Sequence, residues 1–252
     1  MIQINPYLQR IEYQGDLTPS LPLLNQLQRC HLLSVPFENL DIHLPEEIRL
    51  DVERIFQKVV HRRRGGFCYE LNGLFHFLLV GLGFHVKRIS ASVYGSKGIW
   101  GPEYDHLVNL VFLDEQWWLT DVGFGDFPFA PVPLTHQVEV EDRNQRFWAE
   151  QLDAKAWMLK KLGPDGQEVE KYHFTTVQRE YEEFAEMCHY HQTSLDSHFT
   201  QNKICTICTP DGRITLSRNK LVILEGENRQ EKEIKGQKEF DQYLWEYFQM
   251  RL

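Results

Sequence analysis

The feature of this sequence that most constrains its fold is a change in hydrophobic period near Gly83. Upstream, apolar side chains recur at helical spacing in two stripes, over residues 52–60 and 71–79. Downstream, residues 89–93 alternate apolar and serine side chains, which is the period of a half-buried strand. Each period suits only one kind of element, because it fixes which side chains share a face. We therefore predict helices before Gly83 and mainly β structure after it.

The predicted fold class is α+β, with three domains around a cysteine-protease-like catalytic core. Residues 1–83 are expected to form a helical bundle, residues 84–190 a mainly antiparallel, barrel-like β domain, and residues 191–252 an α/β lid. The bundle would carry a nucleophile, and the β domain would carry its partners.

Capping and turn residues give the expected limits of the elements. Helices are predicted to begin at Thr18-Pro19 and at Asp51, and a third helix to end near Gly81 or Gly83. Later helices are expected around residues 181–188 and 240–248. Strands are expected at residues 147–151, 157–162 and 169–174, the last two joined across residues 163–166, and at residues 204–209 with two more strands after them.

Cys68 lies in a segment that suits a catalytic nucleophile. We expect it in the first turn of a helix, where unpaired backbone N–H groups and the helix dipole favour a thiolate. Gly65 and Gly66 allow a sharp turn that brings an N–H group close to the sulfur, as an oxyanion hole requires. The arginines at residues 62–64 add to the positive field, or else form a solvated helix end. The alternative for Cys68 itself is a packed, inert thiol.

A cysteine nucleophile needs a base and a carboxylate that orients the base, and a predicted hairpin supplies both. His106 begins its first strand, and Asp121 follows its second. A two-residue turn at residues 114–115 places His106 diagonal to Asp121 on one face, and a four-residue loop places them directly opposite. A three-residue loop would separate them. The hairpin therefore permits a His-Asp pair without requiring one.

At these residues the chain resembles a known family. The segment Arg64-Gly-Gly-Phe-Cys68-Tyr-Glu-Leu-Asn72, then His106, then Asp121-Val-Gly-Phe-Gly125 is similar to the arylamine N-acetyltransferases. Residues 35–40 and 199–202 match that family too, in the expected order. Two positions depart from it: Asp126 stands where many members have glycine, and His198 where proline is common.

The resemblance implies a role for each matched residue. Cys68 would be the acetylated nucleophile, His106 the base and Asp121 the orienting acid. Residues that match the acceptor pocket, and that could equally be ordinary core, are Phe37, Val93, Phe124 and Phe199. Residues expected to support the nucleophile or its oxyanion are Arg64, Gly66 and Phe67.

Charge and cysteine content limit the possible partners. The formal net charge is −9, which gives no general reason to bind nucleic acid or an anionic membrane. The N-terminus lacks a basic region followed by an apolar block, and no segment has the length of a membrane span. Five cysteines are an odd, sparse count for 252 residues, which favours a reducing compartment. We therefore predict a cytoplasmic protein.

Two other groups of residues offer competing sites. Cys205 and Cys208, with Cys188, His189 and His191 nearby, could be zinc ligands, but residues three apart in a strand face opposite sides. We therefore predict no metal. The glycine-rich residues 95–101 lack the Lys-Ser/Thr ending of a phosphate-binding loop and suit a mobile hairpin loop instead.

From the residues alone, the prediction is a Cys-His-Asp acyl-transfer site. The resemblance adds the substrates: acetyl-coenzyme A as donor, an arylamine or arylhydrazine as acceptor, and a ping-pong order through acetyl-cysteine. The alternative enzyme is a thiol hydrolase or transglutaminase-like protein with the same triad. The alternative outside catalysis is a binding module in which Cys68 is inert.

Overall fold

The computed structural model describes residues 3–95, 98–143, 145–163 and 166–252. Its α-helices are α1 (Ile4–Arg10), α2 (Leu21–Ser34), α3 (Val52–Phe56), α4 (Cys68–Gly81), α5 (Ala185–Thr193), α6 (His198–Gln201) and α7 (Gln237–Phe248). Its strands are β1 (Phe37–Glu38), β2 (His85–Val93), β3 (His106–Leu113), β4 (Gln116–Thr120), β5 (Val132–Pro133), β6 (Val140–Asp142), β7 (Gln145–Gln151), β8 (Ala156–Leu162), β9 (Glu168–Thr175), β10 (Ile204–Thr209), β11 (Gly212–Ser217), β12 (Lys220–Glu225) and β13 (Asn228–Glu233). Single turns of 3₁₀ helix lie at Leu40–His43 and Tyr181–Phe184, and a π turn at Gln57–His61.

The N-terminal helices pack into one apolar core, but α2 does not begin where the sequence indicated. Ser20, not Thr18, caps α2: its hydroxyl accepts a hydrogen bond from Leu23 N at 3.4 Å. Thr18 instead bonds to Asp16, because its N–H and its hydroxyl both donate to the Asp16 carboxylate. The short helix α1, with a proline at its third position, gave no periodic signal and was not predicted.

The next two helices agree with the predicted limits. Asp51 caps α3 by accepting a bond from Arg54 N at 3.1 Å, and the helix continues into the π turn. Helix α4 begins at Cys68 and ends at Gly81, and Gly83 follows with a φ of 92°, a value that favours glycine. Cys68 thus occupies the first helical position.

In the described residues the strands form two antiparallel sheets, which confirms the α+β class. The eight-stranded sheet has the order β5-β4-β3-β2-β9-β8-β7-β6 and curls into a nearly closed barrel around a single interior core. The five-stranded sheet has the order β1-β10-β11-β12-β13, and α7 packs on it. Strand β13 was not predicted, because all its side chains are exposed and polar and leave no periodic pattern.

Several contacts tie the N-terminal helices to later segments. Strand β1 pairs with β10, with Phe37 opposite Thr206. The buried side chains of Tyr181, Phe184 and Cys188 join the core of the N-terminal helices, whereas Ala185, predicted on the same face, is exposed.

The division into domains at residues 83 and 190 stays a prediction. Part of the predicted 95–101 loop (Ser96, Lys97) and of the 163–166 turn (Pro164, Asp165) lies outside the described residues.

No helix in the described part of the chain is both long and apolar enough to cross a bilayer.

Candidate active site

His106 and Asp121 form a buried pair, and the turn between their strands explains why. Residues 114 and 115 make a two-residue turn with φ of 50° and 63°, as in a type I′ hairpin. Leu113 therefore pairs with Gln116, which is the diagonal arrangement predicted. His106 Nε2 lies 2.7 Å from Asp121 Oδ2, and neither residue is more than 2% exposed.

Asp121 accepts hydrogen bonds at both carboxylate oxygens. Asn72 Nδ2 donates to Oδ1 at 2.8 Å, and the N–H of Gly123 donates to the same atom at 2.9 Å. The hydroxyl of Tyr172 donates to Oδ2 at 3.1 Å, beside the His106 contact. These donors fix the carboxylate of Asp121 in place. Asn72 belongs to the motif that contains Cys68, but the motif does not indicate this contact, and no local pattern indicates the role of Tyr172.

Asn72 also connects the helix of Cys68 to the hairpin. Its Nδ2 donates to the carbonyl of Leu107 at 2.7 Å, and its Oδ1 accepts from the N–H of Val122 at 2.9 Å. Asn72 therefore fixes α4 against both strands that carry the pair.

The thiol of Cys68 lies next to this pair. The N–H of Leu107, the residue after His106, donates to the Cys68 sulfur. On the other side, Gly123 packs so tightly that a Cβ there would be 2.7 Å from the Cα of Cys68. Glycine is therefore required at residue 123 for this close approach.

The environment of the thiol differs from the sequence-based expectation. Cys68 is only 3% exposed, and burial raises the pKa of its thiol well above the usual value. The Leu107 N–H group lowers the pKa of Cys68, while the charges of Asp105 and Asp121 raise it. The prediction that the local backbone and arginines favour the thiolate is therefore wrong in direction, because burial outweighs them.

The arginine run does not supply the expected field. Arg62 and Arg63 are exposed, whereas Arg64 is buried and contacts two carboxylates, Glu38 Oε1 at 2.8 Å and Asp41 Oδ1 at 2.7 Å. Arg64 is thus neutralised, and its role is to hold the segment before Cys68. Removing one partner of such a buried pair typically costs about 3–5 kcal/mol.

The glycines and Phe67 support α4 rather than forming a ready oxyanion hole. Glu70 accepts a bond from the N–H of Phe67 at 3.1 Å and is held by Lys58 Nζ at 2.9 Å. The Phe67 N–H group is therefore already bonded to Glu70 and is not available to an oxyanion. A Cβ at Gly66 would lie 2.8 Å from Glu70 Oε2, so glycine is needed there for this cap. The Cys68 N–H group lies at the first position of α4, where a helix offers no carbonyl four residues earlier to accept it.

The four predicted pocket residues are each half-buried, and because Phe37, Val93 and Phe124 pack against the edges of cores, the pocket role of the four stays a prediction. Phe199 contacts Phe37 and Phe67, with ring centroids 6.2 and 6.0 Å apart. Phe124 lies 5.3 Å from the His106 ring. Val93 donates its N–H to Asp105 Oδ2 at 3.2 Å. The structure thus places Phe124 directly against His106 and the other phenylalanines around the start of α4.

The alternative zinc site is split between two cores. Cys205 packs in the core under α7, whereas Cys208 packs in the core of the N-terminal helices. The Cys208 sulfur accepts a bond from Arg213 Nη2 at 3.1 Å. These two thiols face opposite sides of β10 and cannot share an ion.

Relatives of known activity match nearly the whole chain. Residues 20–252 match the sequence model of a family described as N-acetyltransferase. The arylamine N-acetyltransferase pineal gland isozyme NAT-10 of Gallus gallus is 30% identical over 234 residues, covering 84% of this chain and 79% of that protein. The chain belongs to the arylamine N-acetyltransferase family. It is therefore an acyltransferase.

Bacterial members of this N-acetyltransferase family are similar in sequence and structure. The arylamine N-acetyltransferase of Escherichia coli is 40% identical over 132 residues, covering 52% of this chain and 47% of that protein. The solved structure of the Mycobacterium abscessus arylamine N-acetyltransferase has a TM-score of 0.90 at 28% identity and covers 100% of this chain and 90% of that one. The chain therefore shares the fold of this family as well as its sequence.

In this N-acetyltransferase, the acidic residue at position 126 is neutralised by two lysines. Lys161 and Lys171 both bond to Asp126, at 3.0 and 2.9 Å. Burial alone would raise the pKa of Asp126, but the lysines lower it to about 2. Two cations, one on β8 and one on β9, therefore face a single carboxylate on the loop after Asp121.

A separate open cavity of about 700 Å³ lies between α6, the turn that joins β11 to β12, and the start of α7. Its lining includes His43, Lys203, Arg218 and Phe240. Cys68, His106 and Asp121 do not line it. The cavity is therefore separate from the residues around Cys68.

Proposed function

We propose that this N-acetyltransferase moves an acetyl group from acetyl-coenzyme A to the nitrogen of an arylamine or arylhydrazine, in a ping-pong order through acetyl-Cys68. The observation that carries the proposal is the buried His106–Asp121 pair, joined to the Cys68 sulfur through Leu107. Cys68 is the nucleophile, His106 the base and Asp121 the group that fixes the tautomer of His106.

The burial of Cys68 makes His106 essential to the first half-reaction. A lone thiolate is unfavourable in this site, so the proton must move to a base as the sulfur attacks. Because His106 Nε2 is bonded to Asp121, Nδ1 is the nitrogen that can take the thiol proton. The sulfur attacks the thioester carbonyl, the bond between that carbon and the coenzyme sulfur breaks, and the leaving thiolate takes the proton from His106.

In the second half-reaction the amine is the nucleophile and the Cys68 sulfur is the leaving group. The amine nitrogen attacks the acetyl carbon on Cys68, and His106 accepts the amine proton. The bond to the Cys68 sulfur breaks, and the thiol regains its proton. In both steps the Cys68 N–H group is the proposed donor to the tetrahedral oxyanion.

The residues around the thiol suit both substrates. Half-buried Phe37, Phe124 and Phe199 can enclose a flat apolar amine. The excess positive charge of Lys161 and Lys171 over Asp126 suits an anionic donor such as a coenzyme A thioester. A cytoplasmic site of action stays a prediction from the sparse cysteines, and the reaction as proposed uses no metal.

The acceptor preference can be tested on acetylated protein freed of coenzyme A. The thioester should persist in buffer at pH 7 and discharge quickly when aniline is added. Cyclohexylamine of similar size should discharge it slowly, because it arrives as an ammonium ion that must lose its proton and hydration to enter an apolar site. Intact-protein mass spectrometry measures the remaining acetyl group over time. Discharge in buffer alone at the aniline rate would favour the thiol hydrolase instead.

A further inference from the structure

Two lysines share one carboxylate beside the aromatic ring that contacts His106. Lys161 Nζ bonds to both oxygens of Asp126 at 3.0 Å, and Lys171 Nζ bonds to one of them at 2.9 Å. The lysine side chains are only 13% and 17% exposed, whereas that of Asp126 is 40% exposed. Two ammonium groups carry about six N–H donors, more than the roughly four lone pairs of one carboxylate can accept. The cluster therefore has one more positive charge than negative charge, in a largely buried place.

A β-bulge turns Lys171 toward this cluster. The register of β8 against β9 shifts between residues 159 and 160, which leaves Lys171 as an extra residue without a cross-strand partner on β8. In a regular strand, Lys171 and Tyr172 would face opposite sides of the sheet. Here both reach the same side chain, because the Phe124 ring centroid lies 5.4 Å from Lys171 Nζ and 5.0 Å from the centroid of the Tyr172 ring. The bulge thus brings a cation to the side of the sheet that faces Phe124.

The ring of Phe124 contacts both the cation and the proposed base. Its centroid lies 5.3 Å from that of the His106 ring. An arylamine whose nitrogen lies beside His106 and whose ring packs along Phe124 therefore brings a substituent at its far edge within reach of Lys171. The phosphates of coenzyme A are separated from its thioester by the long pantetheine arm. Positive charge here attracts the donor at long range, but a cation one ring away from the base is placed to contact the acceptor.

A third cation borders the same loop from the other sheet. A Cβ at Gly125 would lie 4.0 Å from Arg213 Nη1. Arg213 donates to the hydroxyl of Thr206 at 3.3 Å and to the sulfur of Cys208 at 3.1 Å. Neither acceptor is a carboxylate, so these bonds do not neutralise the guanidinium. The electrostatic field around the loop after Asp121 therefore favours an anionic substituent over a neutral one.

We propose that Lys171 is a specificity-determining residue that binds an acidic group on the ring of the acceptor, with Lys161 reinforcing the contact and Asp126 weakening it. This N-acetyltransferase then favours arylamines that carry a carboxylate, such as 4-aminobenzoate. The inference rests on the proposed function, in which the amine attacks acetyl-Cys68 beside His106. A carboxylate that enters the cluster gives the two ammonium groups a second counter-charge through hydrogen bonds between charged groups.

The test compares 4-aminobenzoate with 4-aminobenzamide, a neutral acceptor of the same shape, on acetylated protein freed of coenzyme A. Intact-protein mass spectrometry gives the discharge rate for each amine. The ratio of the two rates is then compared between variants, which cancels the intrinsic reactivity of the amines. Lys171→Met should lower the ratio by about tenfold or more, the loss expected for one hydrogen bond between charged groups. Asp126→Asn should raise the ratio, because the competing carboxylate is removed.

Lys160→Met is the matched control, because Lys160 lies next to Lys161 on β8 but bonds to Glu150 at 2.6 Å. It should leave the ratio unchanged. An unchanged ratio in Lys171→Met, a lowered ratio in Asp126→Asn, or an equal loss for both amines would overturn the proposal. The donor takes no part in the discharge, so an effect of the lysines on acetyl-coenzyme A cannot imitate the expected result.

A binding measurement makes the test independent of acetyl transfer. Isothermal titration calorimetry of unacetylated wild-type protein should show tighter binding of 4-aminobenzoate than of 4-aminobenzamide, and Lys171→Met should remove the difference. If no acetylated protein forms, the proposed function fails, and calorimetry alone decides the role of Lys171. The wild-type titration needs no variant to fold. Equal affinity of the wild type for the two amines, or a difference that survives in Lys171→Met, would contradict the proposal.

Discussion

Cys68→Ala is expected to reduce acetyl transfer to the rate without enzyme, because the acetyl group has no atom to bond to. The fold should survive. The change leaves the Leu107 N–H group without its acceptor and costs about 1 kcal/mol of unfolding free energy. Turnover of an arylamine with acetyl-coenzyme A measures activity, and thermal unfolding by circular dichroism measures stability.

The matched control for this change is Cys30→Ala, since Cys30 is a half-buried free thiol on α2 that takes no part in the proposed reaction. It should retain near-normal turnover. Measurable enzyme-dependent transfer by folded Cys68→Ala protein would remove Cys68 as the nucleophile.

Asp121→Asn is expected to lower kcat by about 10⁴-fold, the effect of the same change in a serine-protease triad. The amide oxygen can replace Oδ1, which accepts from Asn72 and Gly123. The amide NH₂ then takes the place of Oδ2 and faces His106 Nε2 as a donor. His106 must move its proton to Nδ1, and the nitrogen needed as a base is lost.

Steady-state kinetics and a circular dichroism spectrum test this expectation together. Asp153→Asn is the matched control, because Asp153 is exposed and its side chain accepts from the backbone N–H groups of Lys155 and Ala156, which an asparagine can also do. It should leave kcat unchanged. A folded Asp121→Asn protein with near-normal kcat would show that Asp121 does not orient the base.

The His106–Asp121 pair could be predicted because its geometry is local. A two-residue turn fixes which residues of a hairpin face each other, and the turn at residues 114–115 has the positive φ angles that this turn requires. The helix of Cys68 and its end at Gly81 followed equally from apolar spacing and glycine.

The remaining features depend on contacts that no local pattern encodes. Tyr172 reaches Asp121 from a strand 51 residues away, through the curling of the sheet. The raised pKa of Cys68 results from burial by several elements, whereas the sequence indicates only local features, the helix N-terminus and the arginines at residues 62–64. His191 entered the sequence analysis as a possible zinc ligand, and only the structure pairs it with Asp105.

The central claim is that the acetyl group passes through Cys68, and trapping it there is the most direct test. Wild-type protein is mixed with acetyl-coenzyme A without an acceptor, freed of coenzyme, and measured by intact-protein and peptide mass spectrometry. We predict a mass increase of one acetyl group, located on the Cys68 peptide, and none in Cys68→Ala. Amine acetylation without any acetylated protein, or with the acetyl group on another residue, would contradict the account.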